Sequence, residues 1–342
     1  MKERDRLMLQ NVIILLLSLG IILLGCELFT NGIEWLGKKL NFGDGVVGSI
    51  FSAVGTCLPE TLIPIIALLF SKNQVDSKDI GIGAIAGAPF MLATLALFIT
   101  GFSVIIFADR RKTKYEINVN LNILSRDISF FVVVYISAIL TSFITFGIVK
   151  NFIAIMLIVC YIYYVVKTVN NDQVSNEEID ELLFAKIFYS KTSILLVILQ
   201  IVFALSAIII GAELFVSNIE VVAKALKVST LVLSIIITPI ATELPEKFNS
   251  IIWISKNKDT LSLGNITGAM VFQSCIPVSI GIIATDWSLD NVTLVSAFLA
   301  LASSLVTFIW IKRRKSLNPV PLLAGGLFYA FFIVFLILRG FK

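Results

Sequence analysis

Ten apolar runs, each about the length that crosses a hydrocarbon core, recur at 11–33, 46–70, 80–107, 128–149, 151–169, 192–220, 228–255, 261–285, 291–311 and 320–338. In lipid only helices or closed barrels satisfy every backbone group, and runs of this length select helices. With 58% hydrophobic and 15% charged residues, and a mean hydropathy of +0.97, the chain lacks the polar surface of a soluble domain. The fold class is therefore an all-α polytopic membrane protein with ten transmembrane helices. The opening "MKERDRLMLQ" leads into an apolar run reaching Leu24 with no small-residue cleavage site, so it reads as a retained first helix rather than a signal peptide.

The runs fall into two sets that repeat each other. "GCELFTNGIE" (25–34) aligns with "GAELFVSNIE" (211–220), and "TCLPE" (56–60) with "TELPE" (242–246), both at an offset of 186 residues. "GAIAGA" (83–88) then matches "GNITGA" (264–269) at an offset of 181, after a five-residue contraction. This is an internal duplication. Five spans per repeat is an odd number, so the second copy enters the membrane from the opposite side, giving two inverted five-helix repeats as in secondary transporters. The first repeat is set at 1–169, with a motif segment at 48–92, and the second at 191–342, with a motif segment at 234–273. The polar stretch 170–190 between them is a connecting loop with a short surface helix.

Lysine and arginine outside the spans divide 16 to 10 between the two faces, the larger share resting on "RRKTK" (110–114) and "KRRK" (312–315). The positive-inside rule puts that face, with the connecting loop, in the cytoplasm and both termini outside. The plasma (inner) membrane of a prokaryote is the expected location. A net charge of +4, scattered over loops, argues against nucleic acid as a partner. The absence of histidine removes His metal sites, Ser-His and Cys-His catalysis and histidine proton relays. Cys26, Cys57, Cys160 and Cys275 all lie in apolar runs without CxxC spacing and read as buried thiols. An intramembrane enzyme finds no serine–lysine dyad or aspartate pair, so no enzymatic activity and no cofactor is expected. Membrane lipid and small inorganic cations are the expected partners, and the sequence assigns no oligomeric state.

The chemistry lies in the repeated Thr-x-Leu-Pro-Glu. Thr56 and Glu60 are four apart, as are Thr242 and Glu246, hence on one helix face. A mid-span proline frees carbonyls in the preceding turn, here Ala53 to Thr56 and Pro239 to Thr242. Two carboxylates, two hydroxyls and several carbonyls make an all-oxygen site for a hard cation, calcium before zinc or copper. A plain proline kink with a satisfied glutamate is the ordinary alternative for one copy. Two symmetry-related copies favour function, because charge deep in lipid is expensive. Glu243 and Lys247 stand four apart in the favourable order for an ion pair, a structural bridge on the simpler reading and an ion-handling pair on the other. Glu27 and Glu213 read as solvated helix-end glutamates, with lining of an ion access route as the alternative, and Gly101, Gly264 and Gly281 as close-packing positions.

"GSIFSAVGTCLPE" and "LSIIITPIATELPE" resemble the alpha-repeats of the sodium/calcium exchanger (cation/calcium antiporter) superfamily, whose pattern is roughly Ala-x-Gly-Thr-Ser-Leu-Pro-Glu. "GNITGA" resembles that family's Gly-Asn-x-x-Gly-Ser-Asn, and "GAELFVSNIEVVAKALKVS" its first and sixth spans. The resemblance covers all ten spans and implies a prokaryotic-type ten-helix antiporter that binds calcium through Glu60, Glu246, Thr56 and Thr242. The family serine after the motif threonine is Cys57 in one repeat and Glu243 in the other. The third-span serine and Asn/Asp positions are Ala88 and Leu92, and their eighth-span counterparts Ala269 and Gln273. The resemblance thus implies a divalent core with divergent sodium sites. The cation ligands to test are Glu60, Glu246, Thr56, Thr242, Ala53, Pro239, Cys57, Glu243 and Gln273. Calcium exchanged for sodium or protons by alternating access is the reading; a proton-coupled relative, an exchanger of another cation and a cation channel are the alternatives.

Overall fold

The described residues form helices joined by loops, with no strand among them. The structure, a computed structural model, describes residues 2–39, 57–70, 74–171, 181–189, 191–226, 228–257 and 259–340. In chain order the helices are α1 (Lys2–Lys39), α2 (Leu58–Phe70), α3 (Gln74–Met91), a π-helical turn (Leu92–Ala96), α4 (Leu97–Ile106), α5 (Leu121–Thr141) and α6 (Gly147–Asn171). They continue as α7 (Leu183–Ile187), α8 (Ile194–Leu226), α9 (Thr230–Ser255), α10 (Asp259–Ala284), α11 (Asn291–Arg314) and α12 (Pro319–Leu338).

Eight of these helices, α3 and α4 counting as one through the π turn, hold a stretch long and apolar enough to cross a bilayer. Their outward side chains are apolar: Leu16, Leu17, Ile148 and Leu338 are 61%, 62%, 87% and 84% exposed, which suits lipid and not water. Of the two other expected spans, the second is described only from residue 57, as α2, and the seventh is the continuous helix α9, Thr230–Ser255. The fourth begins earlier than 128. Asn120 caps α5, its side chain accepting from the backbone N–H of Asn122 and Ile123, and the polar residues Ser125 to Asp127 thereby enter the helix. Of the connecting loop, α6 takes in the first two residues and α7 is the short helix.

The loops show the alternation of direction. At one end Arg111 pairs with Asp259 at 2.6 Å, the Ile117 N–H donates to the Leu317 carbonyl at 2.9 Å, and the Lys112 N–H donates to Asn257 at 3.0 Å. At the other end Lys78 pairs with Asp286 at 2.8 Å, and the Lys150 ammonium donates to the Asp286 carbonyl. The Lys78 hydrogen bond and charge hold the Asp286 carboxyl below the usual carboxylate range, with Lys150 adding to it. That contribution to stability is present above the ordinary carboxylate pKa and is lost as pH falls through the lowered one. α3 therefore runs from the Asp286 end to the Arg111 end, and its counterpart α10 runs the reverse way.

The pseudo-two-fold is visible between α1 and α8. A Cβ on Gly25 would lie 2.7 Å from Ile208 and 3.3 Å from the Ala204 carbonyl, and one on Gly211 2.8 Å from Ile22 and 3.1 Å from the Ser18 carbonyl. Gly25 and Gly211, Ile22 and Ile208, and Ser18 and Ala204 are each 186 residues apart, so the two helices cross at symmetry-equivalent glycines. Glu27 and Glu213 are exposed and do not end their helices, which continue to Lys39 and Leu226. Gly101 is a close-packing position, with Leu322 2.8 Å from its would-be Cβ, and so is Gly281, with Ile85 at 2.9 Å and Trp287 at 2.6 Å. Gly264 is not: no described atom lies within 4 Å of that position. Cys57, Cys160 and Cys275 are free thiols; the Cys26 side chain lies outside the described residues.

Candidate cation site

The motif copies fold differently. Pro59 does not kink a continuous span. α2 begins at Leu58, so Pro59 stands in a first turn, where its missing N–H costs little. Glu60 occupies the same turn, where the positive end of the helix dipole favours a carboxylate. The Thr61 hydroxyl donates to the Cys57 carbonyl at 2.7 Å. In the second repeat α9 runs unbroken through Pro239 and Pro245 from Thr230 to Ser255. Ala53 and Thr56 lie outside the described residues, and so do the side chains of Thr242, Glu246 and Lys247, although α9 carries their backbone.

The motif helices pack on one another: α2 against α3, α9 and α10, and α3 against α9 and α10. The α3–α9 contact is backbone to backbone. A Cβ on Gly83 would meet the Leu231 carbonyl at 2.8 Å, and one on Gly87 the Ile235 carbonyl at 2.6 Å and Pro239 at 2.8 Å. Pro239 is thus set against the third span of the opposite repeat. Among these helices Glu60 and Glu243 are each 2% exposed, Cys57 4% and Gln273 0%. The Gln273 amide has no hydrogen-bond partner among the described residues. A carboxylate removed from water this fully needs a cation or a proton beside it. Among the described residues no three Cys, Asp or Glu side chains cluster as a metal site, and Glu246, the second motif carboxylate, is outside that set.

Ala88, Leu92 and Ala269 are buried at 0%, 0% and 6% exposure and bring no side-chain oxygen. Leu92 opens the π turn, three residues after Pro89 of α3, and such widened turns recur at functional sites. Its carbonyls are partly engaged, since the Ser303 hydroxyl donates to the Ala93 carbonyl at 2.5 Å.

Sequence reasoning missed Asp127. It is 2% exposed, accepts from Arg126 at 3.0 Å, and its other oxygen lies 3.1 Å from the Thr267 hydroxyl of "GNITGA". The signal was present in "SRD" (125–127), but an Arg-Asp pair ahead of an apolar run also reads as a loop.

Glu60 and Glu243 are thus buried carboxylates on two helices that the internal duplication relates. The chain belongs to the sodium/calcium exchanger protein family, whose model matches residues 10–169 and 196–341; membership makes it a membrane cation exchanger. It is 24% identical over 318 residues to the uncharacterized membrane protein MJ0091 of Methanocaldococcus jannaschii, covering 92% of this chain and 94% of that one. Its fold is similar to that of the H+/Ca2+ exchanger CAX, with a TM-score of 0.76 at 18% identity, covering 96% of this chain and 82% of that one. It is similar also to the sodium-calcium exchanger NCX_Mj, with a TM-score of 0.60 at 22% identity, covering 96% and 99%.

Proposed function

We propose that this protein exchanges calcium for protons, with sodium as a minor counter-ion, by alternating access in which α1 and α8 slide against the bundle of motif helices. Glu60 and Glu246 are the charged ligands, Thr56 and Thr242 the hydroxyl ligands, and the Ala53 and Pro239 turns offer carbonyls. Glu243 and Gln273 add oxygens from the second repeat, and Cys57 lines the first. The observation that carries this reading is the burial of Glu60 and Glu243 among mutually packed motif helices.

Proton coupling rests on what stands at the other positions. Sodium is held by several converging oxygens, and buried Ala88, Leu92 and Ala269 supply none from their side chains. With no histidine in the chain, a buried glutamate is the group able to carry a proton near neutral pH. In proteoliposomes, calcium flux is expected to respond strongly to an imposed pH gradient and weakly to a sodium gradient. Steep multi-ion sodium dependence without a pH response would return the protein to sodium coupling, and flux independent of either gradient would indicate a channel.

We assign the Arg111 end to the cytoplasm of a prokaryotic cell, with both termini outside. In a cysteine-free background, Asp286→Cys, at a side chain 88% exposed, should react with an impermeant thiol reagent in intact cells. Lys112→Cys should react after lysis alone, and the reverse pattern would invert the orientation.

A further inference from the structure

At the Arg111 end of the bundle, between α5 and α11, lies a cavity of about 180 Å³ lined by Asn122, Ser125, Arg126, Ser129 and Lys312. Its lining holds two cations and no carboxylate. Arg126 directs Nε and Nη2 to Asp127 at 3.1 and 3.0 Å and lies 5.4 Å over the Tyr164 ring, which fixes the guanidinium plane. Its Nη1 has no hydrogen bond among the described residues. Lys312 Nζ sits 5.5 Å over the Phe308 ring, with no carboxylate partner among the described residues.

The hydroxyl of Ser125 separates this cavity from an ordinary solvated basic rim. Ser129, Ser137 and Thr141 of the same helix each donate to the carbonyl four residues earlier, at 2.6, 2.9 and 2.7 Å, the usual way a helix satisfies a hydroxyl. Ser125 is 5% exposed, and its Oγ has no partner among the described residues. A buried hydroxyl left unbonded carries its desolvation cost uncompensated, so a ligand that accepts from it is favoured. The cavity also stands beside the first turns of α5, the positive end of that helix.

We infer that this cavity binds a phosphate group, either the headgroup of an anionic lipid or soluble phosphate, held by Arg126 Nη1 and Lys312 Nζ with Ser125 Oγ donating. Donors arriving from two helices in different directions suit a tetrahedral oxyanion better than a planar carboxylate. Basic pockets between helices are where anionic headgroups seat. The site involves none of the calcium ligands, so its test is independent of the counter-ion.

The test is calorimetric titration of the full chain in neutral detergent with dioctanoyl phosphatidylglycerol, dioctanoyl phosphatidylcholine and inorganic phosphate. One saturable site for phosphatidylglycerol or phosphate is expected, with no saturation by phosphatidylcholine. Tighter binding of the lipid assigns the headgroup as source, and equal or tighter binding of phosphate assigns the soluble ion. Lys312→Gln, at an exposed residue that the fold does not need, should weaken binding about tenfold, the size of one charge-assisted bond. Ser125→Ala should weaken it several-fold, and Lys315→Gln, outside the cavity, should not change it. Absence of saturable binding, saturation by phosphatidylcholine equal to that by phosphatidylglycerol, or affinity unchanged in both Lys312→Gln and Ser125→Ala would overturn the inference.

Discussion

Glu60→Gln is expected to abolish saturable calcium transport while the protein still reaches the membrane folded, and Glu246→Gln to do the same. The substitution keeps volume, replaces one acceptor oxygen by an amide donor and removes one unit of charge, at Glu60 from a position 2% exposed. A unit charge pair about 4 Å apart is worth about 4 kcal/mol at an effective dielectric constant of about 20. A loss of that size corresponds to about a thousandfold in affinity, and a divalent ion feels it doubly. Radiolabelled calcium uptake into vesicles containing matched amounts of protein measures it. Uptake at the wild-type level in either variant would sink the assignment of that carboxylate. Glu243→Gln, run alongside, tests whether the added carboxylate of the second repeat belongs to the site.

Arg111→Met is expected to destabilise the fold by about 3–5 kcal/mol, the cost of leaving a buried charge without its partner. Arg111 and Asp259 are 0% and 1% exposed in their side chains and meet through two bonds, at 2.6 and 2.7 Å. The guanidinium also donates to the carbonyls of Ile254, Lys114 and Glu116 and to the Thr113 hydroxyl, at 2.7, 3.0, 3.0 and 3.1 Å. Asp259 in turn accepts from the Asn118 N–H at 2.8 Å. One side chain therefore ties together the loop after α4 and the turn between α9 and α10. Thermal unfolding in detergent should show a large loss for the single substitution and partial recovery when Asp259→Leu is added, because the stranded carboxylate is then gone. A single variant as stable as the wild type would mean that the pair contributes nothing net.

Most of the architecture was legible because lipid allows so few solutions. The apolar runs placed α1, α6, α8, α10, α11 and α12 close to where they stand, and the duplicated motifs implied the opposed directions that the loop contacts show. Hydropathy failed where polar residues are satisfied inside the membrane region. It started α5 too late because Asp127 is bonded to Arg126 and Thr267 rather than to water. The motifs singled out Glu60, which is buried, but spacing could not distinguish a proline that kinks a helix from Pro59, which opens one. Nor could it distinguish Gly264, with open space around it, from Gly25 and Gly87, against which backbone packs. Those distinctions depend on what the other repeat brings to the same place.

The two ends of the bundle are fastened by unlike pairs. Arg111 and Asp259 are sealed from solvent, whereas Lys78 and Asp286 are 36% and 88% exposed. Screening between exposed charges tightens from about 8 Å at physiological ionic strength to about 3 Å at 1 M, while a buried pair is screened far less. Brine therefore loosens one face and leaves the other as it was. Ionic strength thus acts unequally on the two ends of the bundle, weakening the Lys78–Asp286 contact and sparing the Arg111–Asp259 one.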